Sequence, residues 1–296
     1  MQSQDPYSLD KSKIIEPPKT LGNTLKHLGP GFILSASIVG SGELIATTQL
    51  GAKAGFVAMW VILVSCLVKV AVQLEFGKRA IMTGETTFAS FNSLPGPKIG
   101  KANWTVWTWL VLMLIKFLQV GAIVGLVSVL LNMAFPGVSD FWWLIIVVIA
   151  ISSIVVSGYY KILEVLSVSM IGLFTIFTFF SLIALQSTES AISIANITSG
   201  LQFQIPEGAG MAIVVIGAFG LTGVGGDEIM AYNYWLIEKG YASNTGQNDG
   251  TEEWNRRAKG WIKVMYIDAI FAMIVYTLVT VAFFLLGSAL LHGKGA

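Results

Sequence analysis

Long apolar runs separated by short polar stretches dominate the chain from Phe32 almost to its C-terminus. A helix that crosses a membrane needs roughly 20 mostly apolar residues, and runs of about this length recur here. The alternation of apolar and polar residues that marks strands is absent. The pattern therefore predicts an all-α integral membrane protein with about seven spans, at residues 31–55, 57–78, 104–133, 141–157, 162–186, 210–237 and 262–291.

Composition and charge support a membrane location. The chain is 54% hydrophobic and 12% charged, and its net charge of +1 indicates no nucleic-acid partner. With a cytoplasmic N-terminus, fourteen of the eighteen Lys and Arg side chains lie inside, all except Lys53, Lys69, Lys116 and Lys294. We therefore expect a multi-pass protein of a bacterial inner membrane, with residues 1–28 as a cytoplasmic tail. The single cysteine, Cys66, excludes a disulfide within the chain.

The first span carries two glycines and a carboxylate at mid-membrane depth, within Gly40–Glu43. Glycine gives up about 1 kcal/mol of helix propensity relative to alanine, so the helix is expected to break here. A charge at this depth costs about 2.5–3.5 kcal/mol, which favours Glu43 lining a cavity rather than facing lipid. A glycine-mediated helix contact with a protonated or paired Glu43 is the alternative.

The sixth span repeats this device, with four glycines from Gly220 to Gly226 followed by two adjacent acids. Interrupted helices at corresponding places point to an inverted-repeat transporter with a site near the membrane midplane. Carboxylates, hydroxyls and unwound backbone carbonyls form an oxygen-rich shell that suits a divalent cation. The candidate binding residues are Gly40, Ser41, Glu43, Thr222, Val224, Gly225, Asp227 and Glu228.

Three segments, Gly29–Phe32, Gly51–Phe56 and Thr83–Glu85, together with the broken first helix, resemble the Nramp metal transporters. The resemblance implies a leucine-transporter-like fold in which two five-helix inverted repeats hold a divalent metal between unwound parts of helices one and six. Within a transporter domain at 29–296, the first repeat would span about 29–187 and an incomplete second repeat about 208–296. We therefore expect the chain to be an N-terminal fragment.

The metal-binding motifs depart from the family pattern. The family's Asp-Pro-Gly-Asn falls on Gly40–Glu43, and its Met-Pro-His-Asn falls on Val224–Asp227. Loss of the thioether predicts weaker discrimination against Mg²⁺ or Ca²⁺, so a substrate of the Mn, Fe or Mg type is expected. Helix three has Lys116 where family members carry an acidic pair, which leaves proton coupling open. Lys116, Gln119 and Asp268 are the candidate gating or proton-path residues.

Several polar residues and functions have competing interpretations. Asp268 is expected to pair with Lys263 or to cap local backbone. Lys69 is expected either to anchor helix two through interhelical hydrogen bonds or to act as a gate.

An intramembrane aspartyl protease is disfavoured because the acids do not match the motifs of such proteases, so no enzyme and no cofactor are predicted. A carrier of a small organic cation and a non-transporting sensor on the same scaffold are the alternatives. The oligomeric state is not predicted.

Overall fold

The computed structural model describes residues 7–156, 160–208 and 210–293, and it is predominantly helical. The α-helices are α1 (Leu21–His27), α2 (Pro30–Ile38), α3 (Ser41–Ala54), α4 (Met59–Thr83), α5 (Thr87–Asn92), α6 (Trp104–Ala134), α7 (Asp140–Val156), α8 (Tyr160–Leu185), α9 (Ile194–Ser199), α10 (Met211–Leu221), α11 (Gly226–Glu238), α12 (Tyr241–Thr245) and α13 (Glu252–Leu290). The shorter elements are the 3-10 helices Lys11–Lys13 and Gly55–Ala58 and the antiparallel strands β1 (Lys98–Ile99) and β2 (Ala102–Asn103).

Helices occur at each predicted span, and the first and sixth spans are each divided in two. By length and composition, four helical stretches among the described residues could cross a membrane: Glu43–Thr83, Trp104–Ala134, Met211–Glu238 and Glu252–Leu290. Two further apolar helical stretches, Asp140–Ile154 and Gly172–Leu185, are shorter. The chain is therefore an integral membrane protein of helical type, and the number of seven spans stays a prediction. The predicted turn between spans four and five falls largely outside the described residues.

The described chain divides into two compact units, one formed by the residues up to Thr87 and from Leu173 onward, the other by Phe88–Gly172. In the first unit, α13 packs against α2, α3 and α4, while α10 and α11 both pack against α4. Its core combines aliphatic side chains with large aromatic ones, of which Trp261, Tyr276 and Phe283 are fully buried. The first broken helix thus lies against α13 and the second against α4, which itself packs on α13.

Glycines bring α3 and α13 into backbone contact. A Cβ added to Gly287 would lie 2.3 Å from the carbonyl oxygen of Thr48, and one added to Gly51 would lie 2.4 Å from that of Phe284. Real side-chain carbon atoms do not approach backbone this closely, so only glycine fits at both positions. Small residues at such crossings are the usual device by which membrane helices pack.

The unit Phe88–Gly172 consists mainly of α6 packed against α7. The side chain of Asn103 accepts a hydrogen bond from the backbone N–H of Thr105 and so caps the start of α6. Large apolar side chains on α6 are exposed, among them Leu118 at 77%. Lys116 is partly exposed and Gln119 is exposed on the same helix. Their suggested roles in gating or proton movement stay predictions.

The predicted tail is attached to the first unit. The indole N–H of Trp261 on α13 donates to the carbonyl of Ile15 at 2.9 Å, and Ile15 donates its own N–H to the carbonyl of Asn244. The hydroxyl of Tyr241 donates to the carbonyl of His27 at 2.8 Å. The described part of the tail therefore folds against the N-terminal end of α13 and against α12.

Candidate substrate site

The first helix break lies at Val39 and Gly40, between α2 and α3. The N–H of Val39 still bonds to the carbonyl of Ser35, whereas Gly40 is extended and its N–H donates to the carbonyl of Ile38, at 2.6 Å, instead of continuing the helical pattern. The helix is therefore interrupted at the glycine that the sequence indicates. Glu43 follows in the first turn of α3, near the positive end of that helix dipole. The side chain of Ser41 lies outside the described part of the structure.

The second break runs from Thr222 to Gly225, between α10 and α11. Gly223 has φ +72°, a left-handed conformation that favours glycine, and its Cα faces Cys66 so closely that a Cβ would lie 3.3 Å from the Cys66 sulfur. The carboxylate of Glu228 accepts a hydrogen bond from the N–H of Gly225 at 2.6 Å. This bond caps the start of α11 and fixes Glu228 beside the break.

Glu43 links the two breaks. Its Oε1 accepts a hydrogen bond from the N–H of Gly223 at 2.5 Å, and its Oε2 accepts one from the hydroxyl of Thr280 on α13. The side chain is 3% exposed, so the carboxylate faces the protein interior as the sequence indicates. A second, longer bond runs from the hydroxyl of Ser37 to Glu228 at 3.4 Å. The residues on either side of both breaks are thereby brought together.

The end of α10 is held by two residues of α4. The hydroxyl of Ser65 lies 2.7 Å from the carbonyl oxygen of Phe219 and 3.0 Å from that of Thr222. The ammonium of Lys69 donates to the carbonyls of Gly220, at 2.8 Å, and of Thr222, at 2.5 Å. Lys69 therefore makes the interhelical bonds that were expected of it, but to the break itself. Ser65 and Lys69 are four residues apart, so they lie on the same face of α4, and this spacing could have predicted that both contact the same neighbouring segment.

Two buried oxygen atoms beside this arrangement have no hydrogen-bond partner within the described residues: Oγ1 of Thr222 and Oη of Tyr276. Both residues are fully buried. Buried polar groups are nearly always satisfied, so unpaired ones call for an explanation. Tyr276 lies one turn before Thr280 on α13 and interacts electrostatically with Glu43 and Glu228. Sequence reasoning missed both Tyr276 and Thr280, since nothing local distinguishes them from other polar residues of an apolar helix.

The acids themselves do not form one cluster. Among the described residues, no three side chains of His, Cys, Asp or Glu are grouped so that they could hold a metal ion. Glu43 is buried, whereas Asp227 and Glu228 are partly exposed in the first turn of α11. Val224 is buried and Gly225 partly buried between them. A binding role for these residues stays a prediction.

Asp268 does not have the hydrogen-bond partners that the sequence analysis predicted. Its carboxylate accepts hydrogen bonds from the N–H groups of Gly29, at 3.0 Å, and Gly31, at 2.6 Å, and from the hydroxyl of Tyr232, at 3.2 Å. Asp268 thus caps the start of α2, far away in sequence, instead of pairing with Lys263 or capping its own helix. A Cβ on Gly31 would lie 2.7 Å from the Asp268 carbonyl oxygen, so glycine permits this approach.

The family model described as Natural resistance-associated macrophage protein-like matches residues 31–296. No curated protein matches the sequence significantly. Because the family match covers far more than half of the chain, the chain belongs to the Nramp family, a family of membrane transporters for metal ions.

Proposed function

We propose that this protein is a secondary transporter that moves divalent metal cations across the membrane by alternating access, with the cation held at the two helix breaks. Family membership supports a metal ion as the cargo. The bond from Gly223 to the Glu43 carboxylate is the observation that carries the location of the site. It brings an acid of the first broken helix to the unwound turn of the second.

The chemistry around Glu43 suits a hard cation. Carboxylate, hydroxyl and peptide carbonyl oxygens are the ligands that divalent cations such as Mg²⁺, Ca²⁺ and Mn²⁺ accept. Beside Glu43, the hydroxyls of Thr222 and Tyr276 are buried without a hydrogen-bond partner in the described chain, so their lone pairs are available to a ligand. Val224 stands where the family motif has a thioether, and its apolar side chain offers no soft ligand. We infer that selectivity for softer transition metals over Mg²⁺ and Ca²⁺ is weak.

Alternating access follows from what a bound cation does to Glu43. A cation that takes the carboxylate as ligand competes with the Gly223 N–H and the Thr280 hydroxyl, which now hold it. Those bonds connect α3 with the α10–α11 turn and with α13. Replacing them by metal–oxygen bonds changes the contacts between these helices, and so couples occupancy of the site to their arrangement.

The finer elements of the proposal are the orientation and the coupling ion. We place the N-terminus in the cytoplasm of a bacterial inner membrane, because the basic residues are concentrated in the loops that this orientation puts inside. Lys116, Gln119 and Asp268 stay the candidates for a gate or a proton path, because the carboxylates that the family carries on helix three are replaced by Lys116 and its neighbours. Influx measured with and without an imposed pH gradient decides whether protons accompany the metal.

Metal influx into proteoliposomes that contain the full-length protein tests the proposal. Mn²⁺, Fe²⁺, Mg²⁺ and Ca²⁺ are supplied singly and in competition to the wild type, to Glu43→Gln and to Glu189→Gln, which neutralises an exposed acid outside both breaks. We expect saturable influx in the wild type and in Glu189→Gln, mutual competition among the metals, and loss of influx in Glu43→Gln. Influx in Glu43→Gln at the wild-type rate would refute the site, and no influx of any metal would refute the function.

A further inference from the structure

The carbonyl groups at the C-terminal end of α10 accept hydrogen bonds from a positively charged side chain of the protein, Lys69. The last carbonyls of a helix have no partner within that helix, and they lie at the negative end of its dipole. Lys69 places its ammonium 2.8 Å from the Gly220 oxygen and 2.5 Å from the Thr222 oxygen. At a helix break within a membrane, freed carbonyls of this kind are the atoms that coordinate a transported cation.

The surroundings of Lys69 are those of a cation site. The ammonium interacts electrostatically with the carboxylates of Glu43 and Glu228 and lies 5.8 Å from the centre of the Phe219 ring. Carbonyl oxygens, nearby acids and an aromatic face each stabilise a positive charge. A lysine and a metal ion therefore seek the same surroundings at this break.

We propose that Lys69 is a tethered competitor of the transported cation: its ammonium occupies the carbonyl oxygens of Gly220 and Thr222 until the metal displaces it. Lys69 then sets the affinity of the site and limits how long the cation is retained. This inference rests on the proposed function, because it assumes that the cation binds at the breaks.

Capping of the helix alone does not account for a lysine at this position. Ser65 reaches the carbonyls of Phe219 and Thr222 with a neutral hydroxyl, at 2.7 and 3.0 Å. A charged residue within an apolar span is costly, so a second neutral donor would cap the helix at lower cost. Lys69 is only partly buried, and its flexible four-carbon stem lets the ammonium swing aside when the carbonyls are taken by a metal.

Equilibrium binding of Mn²⁺ and of Mg²⁺ to the purified full-length protein tests the inference. The variants are Lys69→Met, which removes the charge, Lys69→Arg, which keeps it, and Lys78→Met, which removes another lysine from α4 outside the break. We expect Lys69→Met to bind both metals at least about tenfold more tightly than the wild type, because one like charge a few ångströms from the cation is removed. Lys69→Arg and Lys78→Met should bind no more tightly than the wild type.

A kinetic readout separates competition from a structural role. In proteoliposomes, Lys69→Met should lower KM and also lower kcat, because a more tightly held cation leaves more slowly. Misfolding would lower kcat without lowering KM. Lys69→Gln covers the case in which Lys69→Met fails to fold, since its amide still donates to the carbonyls without a charge, and it should tighten binding in the same way.

The outcomes distinguish this inference from the function on which it rests. If the wild type binds metal and neither Lys69→Met nor Lys69→Gln binds more tightly, the competitor role is refuted while metal transport stands. If neither the wild type nor any variant binds a metal, both the inference and the proposed function are refuted.

Discussion

Removal of the Asp268 carboxylate should lower the free energy of unfolding more than removal of any other single carboxylate among the described residues. The side chain is fully buried and accepts three hydrogen bonds, two of them from the N–H groups at the start of α2. Each bond contributes about 1 kcal/mol, and a buried N–H left without a partner adds about 1–3 kcal/mol. The three lost bonds and the buried Gly31 N–H left without a partner together predict that Asp268→Ala lowers the free energy of unfolding by about 4–6 kcal/mol.

Two milder variants test whether the loss of stability in Asp268→Ala comes from the lost hydrogen bonds. Asp268→Asn keeps one acceptor oxygen but turns an NH₂ group toward a backbone N–H, which should cost about 2 kcal/mol. Tyr232→Phe removes only the 3.2 Å bond and should cost about 1 kcal/mol. Denaturation in mixed micelles, followed by the fluorescence of the nine tryptophans, measures the series. Wild-type stability in Asp268→Ala would refute the capping role, as would equal losses in all three variants.

Three further expectations concern glycines. Gly287→Ala should lower the free energy of unfolding by about 1–3 kcal/mol, because the new Cβ would meet the backbone of Thr48; unchanged denaturation would show that α3 and α13 are not in backbone contact. Gly121→Ala, in an open position on α6, should instead be neutral or raise stability by up to about 1 kcal/mol in the same assay. Gly223→Ala should cost about 1–3 kcal/mol and slow metal influx, because φ +72° is unfavourable for alanine and Cys66 lies close by; wild-type influx would contradict the strained turn.

Local chemistry in the sequence was sufficient to locate the helix breaks. Gly40, and the glycines between 220 and 226, weaken helix propensity wherever they occur, so the interruptions could be read without any tertiary information. The cost of a charge within an apolar span likewise indicated that Glu43 faces the interior, where the structure has it. These features depend on one segment at a time.

The hydrogen-bond partners of the polar side chains could not be predicted from local sequence signals. The bond from Lys69 to Thr222 joins residues 153 positions apart, and the bond from Gly31 to Asp268 joins residues 237 apart. Such pairs form only when the fold brings their helices together, so local preferences assigned Asp268 to the wrong partners.

The start of α13 was missed for another reason. The stretch before 262 is polar, which is typical of a loop, yet Thr251 caps the helix and accepts a hydrogen bond from the N–H of Trp254. The acids Glu252 and Glu253 in the first turn fit that cap. The capping signal was therefore present in the sequence. It was overlooked because the exposed polar side chains of the first turns, such as Asn255 and Arg256, make the stretch look like a loop.

The single cysteine offers the most direct test that the cation binds at the breaks. Cys66 is 1% exposed and lies against Gly223, the residue whose N–H holds Glu43. A membrane-permeant maleimide reaches its sulfur only when this contact opens, and a cation bound to Glu43 changes that contact. The measurement is the rate of Cys66 alkylation against Mn²⁺ concentration, in the wild type and in Glu43→Gln. We predict that Mn²⁺ changes the alkylation rate with the same half-maximal concentration as influx, because it displaces the Gly223 N–H from Glu43, and that Glu43→Gln loses this response; an alkylation rate independent of Mn²⁺ while influx saturates would contradict the account.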